Sequence, residues 1–116
     1  MNNDKFVRKS FRLPMGGPNA LNVEIEGNLY SVVDIGTRGI GIRVPRSDTF
    51  ILGSTISSIN ISLEDTPFNI EGVVVHVSAD NSDFFLCGIL LNLNQLAIKK
   101  FEEYVNRFRE KIFENQ

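Results

Sequence analysis

Tryptophan is absent from this 116-residue chain, and cysteine and histidine occur once each. A single thiol cannot close an internal disulfide, so the fold must hold by its core alone, and the chain is long enough to bury one. Cys87 lies in the apolar run Phe84-Phe85-Leu86-Cys87-Gly88-Ile89-Leu90-Leu91. It reads as a small buried hydrophobe and fits a reducing compartment. His76 has no second histidine or nearby cysteine, which argues against a metal site and leaves a catalytic base without a visible partner. No nucleophile–base pair or phosphate-binding loop stands out either, so neither enzyme activity nor a cofactor is expected. Positive charge is also scarce: 12 Lys and Arg face 14 Asp and Glu, a formal net charge of -2. A generic nucleic-acid binder is basic overall, so no nucleic-acid partner is expected and any attraction to phosphate must be local. No apolar run is long enough to cross a bilayer, and the start Met1-Asn2-Asn3-Asp4-Lys5 lacks a signal core, so the expected location is the cytoplasm.

What is present suits one globular domain: 42% of residues are hydrophobic and 22% charged. Residues 1–19 are partly basic, aperiodic and broken by Pro14, Gly16, Gly17 and Pro18, which predicts a flexible arm and a turn. Residues 20–92 carry strand signals. Leu21 to Glu26 alternates apolar and polar, Gly27-Asn28 turns, and Leu29 to Ile35 returns as the second arm of a hairpin. Ile40 to Val44 forms a third strand, stopped by Pro45, and the following loop tucks Phe50, Ile51 and Leu52 beneath it. Thr55 to Leu63 is a strand whose alternation slips at Ser57-Ser58, the mark of a bulge. Glu64 to Pro67 turns. Phe68 to Val77 is a long strand with Val73, Val75 and Val77 on one face and Val74 and His76 on the other; after a loop, Phe84 to Leu91 is the last strand. Residues 93–116 change period. Asn94 is a candidate N-cap, and Phe101, Val105, Phe108 and Ile112 form one apolar stripe of an amphipathic helix. Six short antiparallel strands of this kind close into a small β-barrel, with the helix packed on it or over one end.

Two local patterns carry possible chemistry. Arg8 and Arg12 stand four apart in the arm, flanking Lys9. A guanidinium is a planar, permanently charged fork that fits phosphate and the O6/N7 edge of guanine. A charge-assisted hydrogen bond is worth about 1.5–3 kcal/mol against roughly 1 kcal/mol for a neutral one. Asp34 ends a strand in Asp34-Ile35-Gly36-Thr37-Arg38-Gly39, where a carboxylate can accept from the N1–H and N2–H of guanine. Gly36 and Gly39 allow left-handed backbone or close approach of a ligand. Taken singly, the first pattern also fits a solvated tail and the second an ordinary turn. Arg38 could reach a phosphate from the turn, and Arg43 could flank a ligand from the next strand; either also suits plain exposure.

Together, and in this strand order, the two patterns resemble the PilZ domain family. Its pattern is RxxxR in an N-terminal arm followed by [D/N]xSxxG roughly twenty residues later, matched by Arg8 and Arg12 and by Asp34 and Gly39. The Gly72-Val73-Val74 strand, the Cys87-Gly88-Ile89-Leu90 strand and the closing helix extend the likeness over about residues 6–113. The resemblance implies a mainly all-β fold, a six-stranded antiparallel β-barrel with a C-terminal amphipathic α-helix. It also implies cyclic di-GMP, a bacterial second messenger, as ligand, with a downstream effector protein as partner. Arg8 and Arg12 would then bind phosphate and guanine, Asp34 would read a guanine edge, and Gly39 would keep the turn open. The chain departs from the pattern at Gly36, which replaces the serine. The missing hydroxyl removes one neutral hydrogen bond, on the order of 0.5–1.5 kcal/mol or about three- to tenfold in affinity. That points to a weaker receptor, with an interaction module that has lost the ligand as the alternative. The oligomeric state is left open.

Overall fold

A computed structural model describes residues 13–15, 20–80 and 82–114, with side chains between 14 and 107. The elements are β1 (Leu13–Pro14), β2 (Asn22–Ile25), β3 (Asn28–Ile35), β4 (Gly39–Val44), β5 (Thr55–Leu63), β6 (Thr66–Ala79), β7 (Phe85–Asn92) and α1 (Gln95–Glu114). All strand pairs are antiparallel. The order β3-β2-β5-β6-β7-β4 returns to β3, so the six long strands form a closed barrel and α1 follows, as the periodicity predicts. Among the described residues, each of these six strands has a neighbour on both sides over part of its length.

Alternation decides which side chains fill the interior. Val23 and Ile25 of β2, Ile40 and Ile42 of β4, and Cys87 and Ile89 of β7 all point inward and are buried. The bulge expected in β5 lies between Ile56 and Ile59, and it lets both isoleucines face the core across Ser57-Ser58. A second bulge, in β6 between Val74 and His76, overturns the expected alternation there. Val74 is buried, while Val73, Val75 and His76 are exposed. The turns also differ by a residue or two. Glu26 and Gly27 take positive φ (55° and 83°), so β3 already begins at Asn28. Glu64 and Asp65 (φ 51° and 72°) alone make the β5–β6 turn, so Thr66 and Pro67 start β6 instead of ending a loop. Pro67 is tolerated there because the pairing with β7 begins only at Glu71, so this stretch of β6 is an edge among the described residues.

Of the loop residues expected beneath the β4–β5 connection, Phe50 is buried and meets Tyr30 edge to face at 5.4 Å. Ile51 and Leu52 are instead 62% exposed, because they lie in a tight turn whose Ile51 carbonyl accepts from the Ser54 N–H at 3.0 Å and from its hydroxyl at 2.6 Å. Asn94 caps α1 by accepting from the Ala97 N–H at 2.8 Å. The helix then turns back over the barrel end marked by the β5–β6 turn. Phe101 is fully buried and packs against Phe68 with ring centroids 5.7 Å apart. Val105 and Tyr104 extend the same face, and Arg107 donates to Glu64 in the turn. Burial of a side chain the size of Phe101 stabilises by about 1.5–3 kcal/mol. Phe108 and Ile112, the rest of the predicted stripe, have side chains outside the described residues.

Gly72 faces the core, and a Cβ there would lie 2.6 Å from Ile89 Cγ2 and 3.0 Å from Ile59 Cδ1. Gly72→Ala is therefore expected to destabilise the fold by about 1–3 kcal/mol through overpacking. Urea unfolding followed by circular dichroism checks this, and an unchanged midpoint would show that the two isoleucines move aside freely.

Candidate functional site

The site is a row of four residues laid across the outside of the barrel. Asp34 on β3 pairs with Gly41 on β4, Gly41 with Gly88 on β7, and Gly88 with His76 on β6. The strand neighbours of the two glycines, Ile40 and Ile42 on β4 and Cys87 and Ile89 on β7, point inward, so the glycines point out. Two bulges bring the ends of the row into line. One lies between Val32 and Asp34, the other between Val74 and His76.

Asp34 is half-buried, and its carboxylate lies over Gly41: a Cβ at Gly41 would be 2.8 Å from Oδ1 and 3.0 Å from Oδ2. No side chain larger than hydrogen is compatible with this placement. At the other end, a Cβ on Gly88 would come within 3.1 Å of His76 Cβ. Among the described residues, the glycines thus leave a floor without side chains of its own between an acid and an imidazole. The depression above it has a volume of about 250 Å³ and is also lined by Val33, Val75 and Leu86. Pockets that enclose drug-sized ligands run to roughly 300–1,000 Å³. This one has room for a single planar base, and a larger molecule would need further contacts outside it.

The turn after Asp34 is closed by the Gly36 N–H donating to the Gly39 carbonyl at 2.8 Å, and the Arg38 carbonyl accepts from the Leu91 N–H at 2.9 Å. Gly36 and Gly39 are buried. The described glycines with positive φ are Gly27 and Gly53, so left-handed backbone is not what the turn asks of Gly36 or Gly39. Arg38 is exposed at the tip. Arg43 is engaged elsewhere: its Nε donates to Asp80 Oδ2 at 3.1 Å, and its guanidinium lies 5.8 Å from the Phe84 ring centroid. Arg8, Lys9 and Arg12 lie outside the described residues. The segment that follows them does not: Leu13 pairs with Ile35, Pro14 with Asp34, and the Met15 N–H donates to the Val33 carbonyl at 2.8 Å. Residues 13–15, read from sequence as free arm, are thus paired to β3 beside the acid.

Sequence reasoning named Asp34 and missed its neighbours. Gly41, Gly88 and His76 meet only through pairings between strands distant in sequence. A signal for the glycines was available, because an isolated glycine at an outward strand position often marks close approach of another group. His76 carried none, since its outward aim depends on the β6 bulge. Among the described residues, no three His, Cys, Asp or Glu side chains are grouped to hold a metal ion, and no helix is long and apolar enough to cross a membrane.

No protein-family model and no curated relative matches the chain. Solved structures do match. Apo MrkH of K. pneumonia superposes with a TM-score of 0.73 at 13% identity, over 91% of this chain and 53% of that one. YcgR from Escherichia coli in complex with c-di-GMP gives 0.71 at 13%, over 91% and 47%. The PilZ domain of the same YcgR with c-di-GMP gives 0.66 at 11%, over 89% of this chain and 95% of that domain. The fold is that of a PilZ domain. The chain spans about half the length of the MrkH and YcgR chains but nearly all of the isolated PilZ domain. Within this PilZ fold, the six-stranded barrel and its C-terminal helix agree with the sequence expectation.

Beneath the floor of the row, Cys87 is 1% exposed, and burial pushes its thiol up from 9.0 to about 11. The folded thiol ionises at a higher pH than the unfolded one. Its contribution to stability is therefore complete below about pH 9 and is lost as pH rises toward 11. Cys87→Ala is expected to flatten the fall in melting temperature across that window. Tyr104, pushed up by burial and then by the Glu64 charge, acts equally in both proteins. Parallel slopes for the two proteins would contradict a buried, neutral thiol.

Proposed function

We propose that the chain is a cyclic di-GMP receptor in which the N-terminal arm closes over the ligand on the outside of the barrel and alters contact with an effector protein. One observation carries the reading: the Leu13–Pro14 pairing tethers the arm alongside Asp34. Arg12 is covalently next to that tether, and Arg8 is five residues from Leu13, within about 18 Å even for an extended chain. Both guanidiniums can then reach a ligand lying over the row. Their forks suit the two phosphates and the O6/N7 edge of guanine, and the Asp34 carboxylate suits guanine N1–H and N2–H. Lys9 and the exposed Arg38 add positive charge where the overall balance is negative. Arg43 is retained as a flanking contact, for which an anion would compete with its ion pair to Asp80 and its contact with the Phe84 ring. Gly36 and Gly39 keep the turn beside the ligand compact. The same barrel in the c-di-GMP complexes of YcgR supports the choice of ligand. The receptor role needs no catalysis, cofactor or metal, and a second messenger of this kind places it in the cytoplasm of a bacterium.

Isothermal titration of the chain with cyclic di-GMP tests the reading. Wild type should bind saturably, and Arg8→Ala and Arg12→Ala should each weaken binding by about ten- to a hundredfold, the loss of a charge-assisted contact. Binding that survives both substitutions removes the arm from the mechanism. Absence of heat with folded wild-type protein favours the alternative, a PilZ-fold interaction module without ligand, for which Gly36 is the supporting feature.

Gly36→Ser restores the hydroxyl of the family pattern. It should tighten binding about three- to tenfold. A weakened complex would mean that the buried Gly36–Gly39 turn has no room for a hydroxymethyl group.

A further inference from the structure

We propose that Asp80 and Phe84 on the β6–β7 loop form an autoinhibitory catch on Arg43: they hold its guanidinium away from the outer depression, and ligand capture turns Arg43 inward and uncovers Phe84. The inference rests on the receptor reading and on the flanking role of Arg43. It adds two residues that no part of the RxxxR or [D/N]xSxxG pattern contains.

Register places Arg43 beside the depression. Ile40, Ile42 and Val44 are buried, so Gly41 and Arg43 share the outward face of β4. They are two residues apart, a step of about 7 Å along the strand that a long arginine side chain spans. Arg43 pairs with Leu86, and Leu86 with Ser78. Leu86 and Ser78 line the depression, while Arg43 does not. Its side chain turns the other way. The next pairs, Val44 with Phe85 and Phe85 with Ala79, put Asp80 beyond Arg43 on the side away from Gly41. There Arg43 Nε donates to Asp80 Oδ2 at 3.1 Å, and the guanidinium lies 5.8 Å from the Phe84 ring centroid.

The loop presents both groups as one unit. The Asp80 N–H donates to the Phe84 carbonyl at 3.1 Å, the Ser82 hydroxyl donates to Asp80 Oδ2 at 3.2 Å, and the Phe84 N–H donates to Ser82 Oγ at 3.3 Å. The Asp80 side chain is 19% exposed, so salt screens this pair less than one on the open surface. One guanidinium cannot both hold this geometry and sit over the glycine floor. Arg43 therefore has two positions, and an anion that touches it only in the inward one draws the population there. The apparent affinity falls by the fraction of molecules held outward. Phe84 loses its cationic neighbour as Arg43 turns, so ligand capture is reported on the loop.

The test is a double-mutant cycle titrated with cyclic di-GMP: wild type, Asp80→Asn, Arg43→Ala and the double variant, with matching melting curves to confirm folding. Asp80→Asn should tighten binding about two- to tenfold more when Arg43 is present than in Arg43→Ala. Removing a negative charge near an anionic ligand helps both backgrounds and cancels in the comparison. Equal effects in the two backgrounds overturn the catch, and so does an Asp80→Asn protein that binds no more tightly than wild type. The chain has no tryptophan, so Phe84→Trp supplies a single fluorophore at the loop. Saturating ligand should shift its emission, and Arg43→Ala in the same protein should abolish the shift. A shift that persists without Arg43, or none in either protein, overturns the uncovering of Phe84. Failure of wild type to bind cyclic di-GMP at all would instead overturn the receptor reading, a result distinct from these.

Discussion

The seam between β3 and β4 is the constraint on which the rest depends. Without it the six strands would be an open sheet with a free edge at each end. With it, the strand carrying Asp34 lies against Gly41, and through β4 and β7 the acid comes into line with His76. The seam also gives β1 its place, since β3 offers its other side to Leu13 and Pro14 beyond the end of β2. Architecture and candidate site are therefore consequences of a single set of backbone hydrogen bonds.

Much of the architecture was legible because burial imposes a period of two on a strand with one wet face. Val23 and Ile25 around Glu24, and Ile40 and Ile42 around Gly41, report their inward aim directly. The change of period after Asn92 marks α1, and Asn94 caps it as its side-chain chemistry requires. Alternation failed where the backbone departs from it. Val74 and His76 were assigned to one face, whereas the bulge between them places one in the core and the other in solvent. Ile51 and Leu52 were assigned to the core on hydrophobicity alone, although apolar residues are common on protein surfaces and a local sequence does not show how much space lies beneath a loop.

The candidate site was legible only as far as a linear motif reaches. Asp34, Gly36 and Gly39 lie within six residues and form one turn, so their proximity was readable. Gly41 and Gly88 are 47 positions apart and become neighbours only through the pairing of β4 with β7. Their shared property, the lack of a side chain, weakens a strand locally, and closure elsewhere offsets it. Gly72 lacks a side chain for the opposite reason, since the core leaves no room beside Ile59 and Ile89. Glycine in this barrel thus marks close approach on the outside in two places and close packing on the inside in another.

The position of β1 beside β3 separates two kinds of stability. β3 stays bonded to β2 and β4 whether or not Leu13 and Pro14 lie alongside it. Among the described residues β1 pairs with β3 alone, so its opening breaks only that pairing, while global unfolding must break the whole cylinder. The outer row from Asp34 to His76 is therefore held by barrel pairings that do not include the tether.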